Sequence, residues 1–168
     1  MDAGWLYTYD QYYDYKVEKI FKSVFETLKS KQDYTYTLGD LAFFKRYYSE
    51  LPSDTDRAEI KKLFENGQLE FVQGGLVSPD EATTNYADVL VNYEAGHDFL
   101  RDEFGVTPRI GWQLDAFGHS AVTASMLAQM GMEAVFFARM NRDKHLELKE
   151  SSDCEFIWEP NYYSVDGR

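Results

Sequence analysis

Stretches of helical hydrophobic period alternate along this chain with short strand-like apolar runs, joined by only a few residues, and few folds admit that pattern. In YKVEKIFKSVFETLKSK (15–31), Val17, Ile20, Phe21, Val24, Phe25 and Leu28 recur at helical spacing with lysines and glutamates opposite, which predicts an amphipathic helix. YTYTL (34–38) is short, aromatic and β-branched, as a strand would be. A helix over 41–51 is closed by Pro52; Ser53 or Asp54 can cap the next, with Gly67 as its stop. QLEFVQGG (68–75) reads as a second strand, 81–105 as a long helix, and RIGWQLD (109–115) as a third strand. A helix over 122–131, a strand AVFFA (134–138), a short polar helix over 141–149 and a last strand in EFIWEP (155–160) complete the series. Such alternation predicts parallel βαβ units and therefore an α/β sheet or barrel. No internal repeat or linker indicates a second domain.

In folds of this kind, ligands gather beyond the carboxyl ends of the strands. Polar residues stand there in this sequence: Asp40 after the first strand, Gly74-Gly75 and then Asp80-Glu81 after the second, Asp115 after the third, Arg139 after the fourth. Each has a plainer reading, since aspartates after strands cap helices and turns. Asp80 and Glu81 are balanced between capping the long helix and supporting a site. His97 and His145 fall on predicted helices and are expected at the surface, whereas His119 is expected to hold a loop by hydrogen bonds. Trp112 and Trp158 sit in strand-like runs and are expected in the core.

Composition narrows the classes of partner. With 168 residues, 44% of them hydrophobic and 17% aromatic, the chain can build a real core. A net charge of -12 opposes a nucleic-acid or anionic-membrane partner. No apolar run is long enough to span a bilayer. The lone Cys154 excludes an internal disulfide and a cysteine-built zinc site.

Three motifs carry a family likeness. DAGWLYTYDQYY at the start, GGLVSPDEATTNY in the centre and GWQLDAFGHSAVTASMLAQMG after it resemble, in order from Asp2 to about Trp158, the N-terminal part of the catalytic domain of glycoside hydrolase family 38. These are the zinc-dependent retaining α-mannosidases, and the opening motif is most similar to the lysosomal acid α-mannosidase branch. The resemblance implies an incomplete (β/α) barrel of parallel strands alternating with helices, with residues 1–168 as one partial catalytic domain. It implies Zn²⁺ as cofactor, with Asp2 and Asp115 as ligands, and Asp115 as the nucleophile that attacks a terminal α-mannoside of a glycoprotein oligosaccharide. Trp5, Phe117 and Arg139 match family residues that line the sugar or stand beside the nucleophile, where a cation favours the ionised carboxylate.

The family pattern at the start places a zinc histidine two positions before Asp2, hence before residue 1. A second zinc histidine and the general acid/base aspartate belong past Arg168. The resemblance thus implies a piece truncated at both ends, inactive and association-prone by itself, whose partners include the missing N- and C-terminal parts of its own domain. It also implies a lysosomal location. Two other classes share some features. A zinc-dependent polysaccharide deacetylase would need two histidines at i, i+4, a spacing absent among His97, His119 and His145; a non-catalytic carbohydrate-binding module would fit the aromatic content.

Overall fold

A single threonine sets where the first long helix begins. In the computed structural model, which describes residues 3–158, the Thr8 side chain accepts from the Gln11 N–H at 3.3 Å while Gln11 Oε1 accepts from the Thr8 N–H at 3.0 Å. This reciprocal cap satisfies two donors that a helix start leaves open. Helix α1 (Tyr9–Tyr12) then runs through a π-helical turn, Tyr13–Val17, into α2 (Glu18–Ser30). The helical stretch therefore starts six residues before the expected position 15, because the cap lies upstream of the apolar stripe that signals it. Tyr13, Val17, Phe21, Phe25 and Leu28 form the buried face, whereas Ile20 is exposed.

The described residues divide into two units, one of residues 3–78 with Tyr86–Pro108, the other of Pro79–Asn85 with residues 109–158. In the first unit, β1 (Tyr36–Leu38) pairs in parallel with β2 (Leu69–Phe71) in the register Tyr36↔Leu69 to Leu38↔Phe71. Between them lie α3 (Ala42–Ser49) and α4 (Asp54–Glu65); Ser53 caps α4 by accepting from the Asp56 N–H at 3.2 Å. Aromatic side chains make the core. Phe44, fully buried, meets Phe21, Phe25, Tyr48, Phe71, Phe99 and Phe104 at centroid distances between 5.5 and 6.1 Å.

Helix α5 (Tyr86–Phe104) closes that unit by an approach only glycine permits. A Cβ on Gly96 would stand 1.9 Å from the Gly74 carbonyl oxygen. Gly74 itself, at φ +80°, leaves the notch into which His97 packs. His97 is thus buried, contrary to the expectation of a surface histidine, and its Nε2 donates to the Gln73 carbonyl at 3.0 Å. The helix also starts at Tyr86, not at 81. Asp80 accepts from the Ala82 N–H and the Thr83 hydroxyl, both at 3.1 Å, and so closes a separate turn ahead of the helix.

The second unit holds one βαβ step. Strand β3 (Ile110–Gln113) leads through α6 (Ala121–Gln129) to β4 (Ala134–Phe137), which lies parallel to β3 in the register Ile110↔Ala134 to Gln113↔Phe137. Helix α7 (Arg142–Ser151), capped by Asn141, follows. The expected last strand does not form over 155–158; Glu159 and Pro160 lie outside the described residues. Among the described residues no backbone ladder reaches 155–158, and Phe156 and Trp158 lay their rings near Phe137, at 6.0 and 6.3 Å. Trp112 and Trp158 are half-buried, not core, and Trp112 lies 5.7 Å from an exposed Phe136. The architecture is α/β with short parallel strands. Among the described residues no helix is long and apolar enough to cross a membrane.

Candidate active site

Parallel pairing explains why Asp115 and Arg139 meet. The last paired residues of the β3–β4 ladder are Gln113 and Phe137, and Asp115 and Arg139 each stand two positions beyond them. In parallel strands both chains leave the sheet at the same edge, so equal offsets face each other. The Ala138 N–H still donates to the Gln113 carbonyl at 3.3 Å, carrying the pairing one step past the strands. Arg139 Nε then donates to Asp115 Oδ1 at 2.5 Å, and a second guanidinium nitrogen contacts the same oxygen. Both contacts converge on Oδ1; no described residue bonds Oδ2.

Backbone conformation shapes the two loops. Arg139 has φ 58°, in the left-handed region, which costs a residue with a Cβ about 1 kcal/mol or more. Its guanidinium lies 4.8 Å from the Phe117 ring centroid, and Phe117 is exposed. Gly118, at φ 147°, takes a conformation that a side chain would oppose, letting the chain turn directly after Phe117. Asp115 and Arg139 side chains keep 59% and 52% of their exposure, so the pair faces solvent and is open to a ligand.

A second tier holds these loops from behind. Glu81, whose side chain is only 5% exposed, accepts the Ser120 N–H, and its other oxygen lies 3.8 Å from His119 Nδ1. The same Ser120 caps α6 by accepting from the Val122 N–H at 3.2 Å. A carboxylate at that helix start is favoured by the helix dipole. His119 Nε2 donates to the Ala138 carbonyl at 2.7 Å, and its ring meets Phe137 edge-on at 5.1 Å. The expectation of His119 as a loop-holding donor is met in geometry. For Glu81 the even balance resolves away from helix capping of α5, a result its sequence position could suggest but not decide.

Of the residues expected at a site, Asp115, Phe117 and Arg139 come together. Trp5 belongs to the first unit, where its side chain is 74% exposed. Asp2 lies outside the described residues. Among the described residues no three histidine, cysteine, aspartate or glutamate side chains form a group able to hold a metal ion. Asp115 Oδ2 is an oxygen donor of the type zinc accepts, but His119 has its Nε2 committed to a carbonyl. The described residues alone therefore do not complete a zinc site.

The sequence profile described as the N-terminal domain of glycosyl hydrolases family 38 matches residues 1–164. The chain belongs to this family. It is 39% identical to an α-mannosidase of Arabidopsis thaliana, in a match that covers 94% of the chain and 16% of that protein. To the lysosomal α-mannosidase of Dictyostelium discoideum it is 37% identical, again over 94% of the chain and 16% of the relative. The chain thus spans about a sixth of the length of these curated relatives. Among solved structures, an α-mannosidase from Enterococcus faecalis V583 superposes with a TM-score of 0.69 at 18% identity, over 81% of this chain and 15% of that one. A 4-α-glucanotransferase from Thermococcus litoralis superposes with a TM-score of 0.54, also at 18% identity, over 77% of this chain and 22% of that one. Both structural likenesses speak to fold.

Proposed function

We propose that this family 38 chain is part of a (β/α) barrel catalytic domain and supplies the nucleophile of a retaining α-mannosidase. One observation carries the reading: the Asp115 carboxylate stands just past the end of β3, tied at Oδ1 by Arg139, with Oδ2 unbonded by described residues and Phe117 alongside. Retaining glycoside hydrolysis needs one carboxylate oxygen to attack the anomeric carbon while another acid protonates the departing oxygen. Fixing one oxygen orients the other, and Oδ2 is the attacking atom in this account. Phe117 offers an apolar surface to the C–H face of a sugar, and Trp5 is a candidate for a second such surface. No described residue is assigned as the protonating acid.

Zn²⁺ is the proposed cofactor, with Asp2 and Asp115 among its ligands. Support comes from family membership and from the oxygen-donor chemistry of Asp115; the described residues contribute one donor. Bound there, the ion would orient sugar hydroxyls and balance developing charge. The roles given to Asp115, Arg139 and Phe117 do not pass through it. The relatives named as α-mannosidases support an α-linked mannose as substrate, and those named as lysosomal support a lysosomal location.

The test measures release of p-nitrophenol from its α-mannoside, both by the 168-residue chain and by a protein carrying it at the length of its relatives. At that length, Asp115→Ala should lower kcat/KM by at least about 10³-fold. A variant within a few-fold of wild type would remove Asp115 from the chemistry.

A further inference from the structure

The contacts behind Asp115 form a closed path of which the reaction just described uses only the last link, Arg139 to Asp115. Glu81 accepts the Ser120 N–H; His119 bonds the Ala138 carbonyl; the peptide bearing that carbonyl leads directly into Arg139; and Arg139 returns to Asp115 Oδ1. The loop after β3 and the loop after β4 are therefore stitched at two points, His119 to Ala138 and Arg139 to Asp115. The first stitch fixes the plane of the 138–139 peptide. That matters because Arg139 sits at φ 58°, a conformation its Cβ disfavours and that surrounding contacts must hold. Without the His119 bond, the 138–139 peptide would be free to rotate toward the commoner right-handed or extended regions. The guanidinium would then swing away from Asp115.

We infer that His119, whose loop is held by the bond from the adjacent Ser120 N–H to buried Glu81, is a positioning residue that holds Arg139 in its left-handed conformation and so keeps one oxygen of Asp115 tied and the other presented. The catalytic meaning of that placement rests on the reading of Asp115 as nucleophile; the mechanical link does not. Since Ala138 offers a carbonyl, which only accepts, the bond requires the proton on Nε2 of His119. Glu81, at 3.8 Å from Nδ1, faces the other side of the ring.

The experiment reads the clamp without any catalytic activity. In the ¹⁵N-labelled 168-residue chain, the exchange of the Arg139 Nε–H with water and the tautomer of His119 are followed by NMR at mildly alkaline pH. Wild type should show a protected Arg139 Nε–H and the Nε2–H form of His119. His119→Ala should speed that exchange by about tenfold or more, because the clamp opens more often. His119→Gln, whose amide can still donate to the Ala138 carbonyl, should restore protection to within about threefold of wild type. Unchanged exchange in His119→Ala, or equal loss in the alanine and glutamine variants, would overturn the inference. So would a wild-type His119 in the Nδ1–H form, a measurement that needs no variant to fold. Failure of the mannosidase reading would leave all these signals in place, so the two ideas fall separately.

Discussion

Two arginines show how differently one residue type is used here. Arg139 gives both its contacts to a single oxygen of Asp115 in an exposed setting, where an ion pair adds less than about 1 kcal/mol to stability. Its value is directional. Arg46 instead gathers Asp10 at 2.8 Å, Asp14 at 3.3 Å and Glu50 at 2.9 Å, and lays its guanidinium 3.9 Å from the Tyr13 ring centroid. The hydrogen bond from Arg46 holds the Glu50 carboxyl below its ordinary value of 4.5. A carboxyl depressed by folding stabilises the native state above its unfolded pKa and loses that contribution as pH falls through the folded value. Arg46→Met should therefore be less stable than wild type at neutral pH, and the gap should narrow as pH drops below about 4.5. Urea unfolding at several pH values measures this. A gap that stays constant would mean that packing on Tyr13, not charge, accounts for Arg46.

The sequence places Asp115, Phe117 and Arg139 just past the ends of apolar runs, and the structure brings these three together there. Glu81 was ambiguous because its partner, the Ser120 N–H, is 39 residues away and a backbone donor leaves no mark on composition. His97 was misjudged for a similar reason. The notch that buries it is made by Gly74, 23 positions earlier, and an absent side chain gives no periodic signal.

Elements were legible in kind and order up to α7, less so in extent, and the strand expected after it does not form over 155–158. Helices α2 to α6 and strands β1 to β4 follow the apolar pattern, yet β1 and β2 are shorter than their apolar runs because each has a ladder partner over only three residues. The residues beyond them serve as loops: the Leu41 and Ala42 N–H groups donate to the Gly75 and Leu76 carbonyls at 3.0 and 2.8 Å, joining the two strand exits. The contact between α5 and that region sets a sharp expectation. Gly96→Ala would place a methyl 1.9 Å from the Gly74 carbonyl oxygen, backbone against side chain, with no flexible group to yield. The variant should lose about 3 kcal/mol or more, although alanine is the better helix former by about 1 kcal/mol. Denaturant unfolding decides it, and a neutral or stabilised variant would show that the close approach is not maintained.

For the whole molecule, alternation of strand and helix led to an α/β architecture, and family membership covers residues 1–164. What the pattern could not give was how the strands group. They pair as β1 with β2 and β3 with β4, and the second pairing is what brings Asp115 and Arg139 together. Whether Asp115 attacks the anomeric carbon is addressed directly by a mechanism-based trap. A fluorinated α-mannosyl fluoride, which forms the glycosyl-enzyme but releases it slowly, is incubated with the protein at the length of its relatives, and the labelled peptide is located by mass spectrometry. The expected product is a mannosyl ester on Asp115. Label on any other carboxylate, or turnover with inversion and no label, would contradict it.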